Sequence, residues 1–239
     1  GVIYMKLPDK EAAHFFGLML PLQYYANQTE GLIDNIVTFE DYLDCTQHEK
    51  LHVRNWIFDN IEIINDYVRE NPFRLKKDEL SIVHSWKNFV SDDFFIERYL
   101  KKYFIVINED NVYGVLSLQE PLNQILDKSL LPYYTELILL PFNGKIVYDG
   151  FFQSHNIKLN TDMKEALKER YITAKENGVI ITDLLAEVPE PKGPDIEKIN
   201  LMLSDFNDQL AKIKADIEKN KLTAMEATVL MDVIKTSLS

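Results

Sequence analysis

At 239 residues the chain has room for one full domain with an appendage or for two small ones, and 46% hydrophobic against 27% charged residues is the balance of a folded protein. Twenty-six basic against thirty-eight acidic side chains leave a net charge of −12, which argues against broad nucleic-acid binding, where counterion release needs a basic face. No apolar run approaches the ~20 residues of a membrane span, the start GVIYMKLPDK lacks a signal peptide's basic and long apolar regions, and one cysteine, Cys45, fits a reducing compartment, so a cytoplasmic protein is expected.

The first part of the chain reads as helices. DKEAAHFFGLMLPLQYY predicts a helix capped at Asp9 and kinked or ended at Pro21, since proline has no N–H for the helix ladder. TFEDYL carries a capping signal, Thr38 followed three residues on by Asp41. Residues 47 to 70 form the strongest pattern, one continuous helix with Ile57, Phe58, Ile61, Ile64, Tyr67 and Val68 at helical spacing and Asn71-Pro72 as its stop. LKKDELSIVHSWKNFV predicts a further amphipathic helix with Leu80, Val83, Trp86 and Val90 on one side.

From about Phe94 the pattern changes to strands. FFIERYL, 94 to 100, fits a strand without excluding helix, and YFIVI and VYGVLSL around NEDN read as a hairpin. ELILLPFNGKIVYDG is the clearest hairpin, because Asn143-Gly144 is the favoured pair for a type I′ turn, where both residues take positive φ. Pro141 has no N–H to give and places its part of the strand at an edge or irregularity. Phe104 and Val106 point one way and Tyr103, Ile105 and Ile107 the other, so the sheet is expected to be covered on both faces.

TDMKEALKERYITAKENG predicts a helix capped at Thr161 and stopped at Gly178. AEVPEPKGPD packs three prolines and a glycine into ten positions, a semi-rigid linker dividing the chain into a domain of residues 1–185, a linker at 186–195 and a helical hairpin at 196–239. In that hairpin Ile196, Ile199, Leu203, Phe206, Leu210, Ile213 and Ile217 alternate by three and four, the seam of a coiled coil. Thr223 with Glu226 then caps a second helix carrying Val229, Leu230, Val233 and Ile234. The turn NKLTAMEA resembles that of short C-terminal helical-hairpin domains of bacterial proteins, a likeness that implies no chemistry.

One stretch reads as chemistry: His48-Glu49-Lys50-Leu51-His52 matches H-E-x-x-H, which on a helix can set two imidazoles around zinc with the glutamate as general base. Three features oppose that reading. Thr46 and Glu49 already form a capping box. Lys50 and Arg54 put charge where a metal-bearing helix is buried, and no third ligand follows: Glu62 lies ten residues on, about 15 Å along the axis. His14, His84 and His155 fall in unrelated contexts. The expectation is a helix start, with no metal, no cofactor and no catalytic residue assigned. G-x-G-x-x-G, G-x-x-x-x-G-K-[ST] and G-x-S-x-G motifs do not occur. Between 74 and 102, Arg74, Lys76, Lys77, Lys87, Arg98, Lys101 and Lys102 exceed five acids, with Tyr99 and Tyr103 interleaved, a small basic patch read as the rim of a sheet.

Asn71-Pro72, ELSIVHSWKNFV, RYLKKY, YGVLSL, LLPF and KIVYDG together resemble a family of bacterial and archaeal proteins without assigned activity. The likeness covers roughly residues 70 to 185 and rests on Trp86-Lys87, residues 98 to 103, Tyr113-Gly114-Val115, and residues 139 to 142 and 145 to 150. It implies that this region folds as a unit and carries over no activity. The chain is therefore expected to be α+β, N-terminal helices packed on a small, mainly antiparallel sheet, followed by a C-terminal helical hairpin. Its expected role is that of a non-enzymatic cytoplasmic interaction protein, binding a protein partner or itself through residues 196–238. A metal-dependent hydrolase using His48, Glu49 and His52 is the rival.

Overall fold

The apolar periodicity of the first ninety residues builds a helical layer around one central helix. A computed structural model of the protein describes residues 5–154, 157–187 and 196–219. Helix α1 (Asp9–Glu30) buries Phe15, Leu18, Met19, Leu22 and Ala26 along one face, which Ala12, Phe16 and Leu20 widen, and packs against α2 (Phe39–Leu43), α3 (Gln47–Asp59), α4 (Ile63–Glu70) and α5 (Lys77–Ser85). So wide an apolar face belongs at the centre of a helical layer. Pro21 neither ends nor caps it: the ring is buried, and packing from the surrounding helices outweighs one missing backbone bond. The helix instead ends at Gly31, whose φ of 65° supplies the left-handed cap.

Residues 47 to 70 are two helices, not one. At Asn60 (φ −127°, ψ 52°) the ladder breaks, and the Asn60 Nδ2 donates back to the Trp56 carbonyl at 2.9 Å. Such local side-chain bonding competes with helix, and the break lets Ile57 and Ile64 both reach the core. The helix after Leu75 also stops early, at Ser85. A single 3₁₀ turn follows, and Val90 belongs to the first strand rather than to a helical face.

The strands are β1 (Val90–Tyr99), β2 (Phe104–Ile107), β3 (Val112–Val115), β4 (Tyr133–Phe142), β5 (Lys145–Tyr148) and β6 (Gln153–Ser154), with the short α6 (Leu122–Ile125) between β3 and β4. The sheet is antiparallel in the order β3-β2-β1-β4-β5, with β6 on β4. Its two ends meet: Leu116 bridges Val147 in parallel and donates to the Ile146 carbonyl at 2.9 Å, so the sheet curls almost into a barrel. The interior is filled by Phe94, Ile96, Phe104, Val106, Leu139 and Tyr148. Asn143 and Gly144 take φ of 50° and 69°, as the type I′ turn requires. Pro141 pairs with Ile146 beyond Leu139, the last β4 residue that β1 covers, so its missing N–H costs no ladder bond on that side. At Gly114 the Tyr103 ring lies 2.9 Å from where a Cβ would stand, so only glycine fits.

Both outer faces are covered. Ile138, Leu140, Phe142 and Val147 pack on the N-terminal helices, while Phe95, Ile105, Ile107 and Tyr134 pack on α7 (Thr161–Asn177) and α8 (Ile196–Lys219). The cap of α7 is Asn160, one residue before Thr161, its side chain accepting the Met163 N–H at 2.8 Å; Gly178 closes the other end. The C-terminal helical pair is α7 with α8, and α8 sets Phe206 and Leu210, 1% and 4% exposed, into the same core as Phe95. The expected second tail helix after Thr223 and most of the Pro-rich linker lie outside the described residues. No helix among the described residues is long and apolar enough to cross a membrane.

Candidate ligand cleft

The H-E-x-x-H stretch opens α3 as a capping box. Glu49 Oε2 accepts the Thr46 N–H at 2.7 Å, Thr46 Oγ1 accepts the Glu49 N–H at 3.3 Å, and these bonds hold the Glu49 carboxyl below its ordinary pKa. His48 and His52 are exposed, whereas Lys50 and Arg54 turn inward, Lys50 Nζ donating to the Leu43 carbonyl at 2.6 Å. A metal helix needs the opposite arrangement. Among the described residues no three His, Cys, Asp or Glu side chains gather to hold an ion. Burial raises the pKa of the Cys45 thiol, which is not how a nucleophilic cysteine is activated.

The basic segment is dispersed by packing. Lys87 bonds Glu62 at 3.0 Å, Arg98 pairs with Glu97 and lies 3.9 Å over the Tyr171 ring, and Tyr99 donates to the Leu126 carbonyl at 2.6 Å. With Tyr103 held against Gly114, neither tyrosine is free to stack on a base.

Two buried arginines remain. Arg54, 7% exposed, is held by Asp149, 5% exposed, through Nε and through Nη2 at 3.1 Å, and its guanidinium rests on Phe58 and Phe151. This pair ties α3 to the end of β5.

Arg170 is the other. Met163, Leu167, Arg170 and Ala174 follow a four-three-four spacing along α7 and are all buried, so a guanidinium occupies a seam position where an apolar residue belongs. It is 6% exposed, and both Nη1 and Nη2 lack a hydrogen-bond partner among the described residues. The Phe206 ring centre lies 4.4 Å from its carbon. Desolvation pulls its pKa down to about 10, opposed by the nearby Asp110 and Glu109, so it stays charged at neutral pH.

Arg170 lines a cleft of about 790 Å³ between α7, α8 and the β2–β3 turn. Ala166, Ala174, Met202, Leu203 and Phe206 give it apolar walls. Asp110, Asp162, Glu165, Glu169 and Asp205, all exposed, stand around its mouth. Gln209 donates to Asp205 at 3.3 Å and leaves its Oε1 without a partner. Volume, apolar walls and a few converging polar groups are the features of a ligand site. The composition of α7 hid this residue, since arginine is an ordinary helix former; its seam position was the available signal. No family model, curated protein or solved structure matches the chain.

Proposed function

We propose that the protein is a non-enzymatic, cytoplasmic interaction protein that binds its partner along the paired C-terminal helices, in the cleft between α7 and α8. The observation that carries this reading is Arg170. A buried charge with no acceptor costs several kcal/mol, and that cost is recovered when an occupant brings the acceptor. The binding element differs from the seam expected in residues 196–238: Phe206 and Leu210 are spent on the body, which leaves the mouth of the cleft and the exposed Leu201, at 72%, to face outward. Engagement of Glu49 in its cap supports the non-enzymatic side of the reading.

Affinity purification from native-source extract tests it with three baits: wild type, a Glu165→Lys/Glu169→Lys variant at the cleft mouth, and His48→Ala on the far helix. A partner retained by wild type and His48→Ala but lost from the mouth variant is the expected result. Equal retention by all three, or a zinc-dependent hydrolysis that His48→Ala abolishes, would overturn it.

A further inference from the structure

We infer that the occupant is a basic amphipathic helix of a partner protein that carries one side-chain carboxylate to Arg170, an inference that rests on the α7–α8 cleft being the binding element. The guanidinium fork, with both outer nitrogens unpartnered among the described residues, matches the two oxygens of a carboxylate, and in a buried setting that bidentate pair is strong and directional.

The surroundings decide what the carboxylate is attached to. Asp162, Glu165 and Glu169 form a stripe along one lip, about 10 Å of helix, with Asp205 on the other lip and Asp110 at the turn. None of the five forms an ion pair among the described residues. A free phosphate or a nucleotide would meet that ring of negative charge before reaching Arg170. A second copy of this chain would bring the same ring and a net charge of −12. A segment with lysines and arginines outward and one acid inward satisfies both the mouth and the floor.

Length fixes the source of the acid. The cleft follows α7 from Asp162 to Asn177, about 22 Å of helix, and Arg170 sits near its middle. A helix of about four turns laid along that groove presents side chains, not its own chain end, at the midpoint. Its leucine-type side chains meet Ala166, Met202 and Phe206.

The test is fluorescence anisotropy with a labelled, end-blocked probe, KLAKLLKKEAKLLK, whose one glutamate lies at the centre of its leucine face, and with the same peptide carrying glutamine for that glutamate. A third probe has the glutamine and a free C-terminal carboxylate. Wild type is expected to bind the glutamate probe at least about tenfold tighter than either glutamine probe. Arg170→Gln and Arg170→Met, two variants so that a folding defect in one is not decisive, are expected to erase that preference. Glu165→Gln/Glu169→Gln is expected to weaken all three probes alike and to flatten their salt dependence. Equal binding of the glutamate and blocked glutamine probes overturns the carboxylate anchor while leaving the cleft as the binding face. Preference for the free-end probe assigns Arg170 to a chain terminus and overturns the side-chain source. Absence of binding by all three overturns the basic-helix occupant, and the cleft itself is then judged by the extract experiment alone.

Discussion

Arg54 and Arg170 are buried to nearly the same depth, at 7% and 6% exposure, and each rests on an aromatic ring. They differ in one respect. Arg54 has Asp149, itself oriented by the Phe151 N–H at 3.3 Å, whereas Nη1 and Nη2 of Arg170 find no acceptor among the described residues. Moving a guanidinium out of water costs several kcal/mol in either place. Beside Asp149 the cost is offset inside the fold and the pair locks two layers together. In the α7–α8 cleft no described residue offsets it, and the proposed occupant would.

Removing the anion from the paired arginine should break the comparison most severely. Asp149→Ala turns Arg54 into a second stranded charge and is expected to cost about 3–5 kcal/mol in urea unfolding; a loss below about 1 kcal/mol would show that the aromatic rings alone suffice for either arginine. Phe206→Ala removes a fully buried ring from the shared core and from beside Arg170, with an expected loss of about 3 kcal/mol. The same experiment sharpens the placement of α8: Leu210→Asp should lower the melting temperature of the full chain, because Leu210 is buried against its own domain. A change in sedimentation with no change in melting would mean that the seam serves another chain.

Smaller effects probe the region opposed to the cleft. Thr46→Ala should cost about 1 kcal/mol, the value of an N-cap. Glu49→Gln should leave thermal stability nearly unchanged, since glutamine also serves in the capping box. The sign with pH follows from the lowered Glu49 pKa: any advantage of wild type is present at neutral pH and is lost as pH falls below the ordinary value of 4.5 and through the folded one. Stoichiometric zinc that disappears in His48→Ala would contradict both expectations.

What the sequence revealed was local. Thr46 with Glu49, Thr38 with Asp41, Gly178 and Asn143-Gly144 are recognised within a few residues, and each takes its expected geometry. The doubly apolar strands announced a sheet covered on both faces for the same reason. The misses were settled at long range. The passage of α1 through Pro21 depends on four surrounding helices, the break at Asn60 serves two separate core contacts, and the curl depends on Leu116 meeting Val147. In the cleft, the seam pattern of α8 is plain and α7 packs against it, while the next helix expected in sequence lies outside the described residues. Arg170 is a good helix former at a position whose burial only the packed sheet creates.

Thermal melting of the ligand-free protein as wild type, Arg54→Met and Arg170→Met tests the contrast most directly. Methionine keeps much of the stem and removes the charge. Arg54→Met strands Asp149 and should melt well below wild type. Arg170→Met relieves an uncompensated charge and should melt a few degrees above it, about 1 kcal/mol of added stability. If Arg170→Met loses as much as Arg54→Met, the guanidinium in the cleft holds the fold together and is not kept for an occupant.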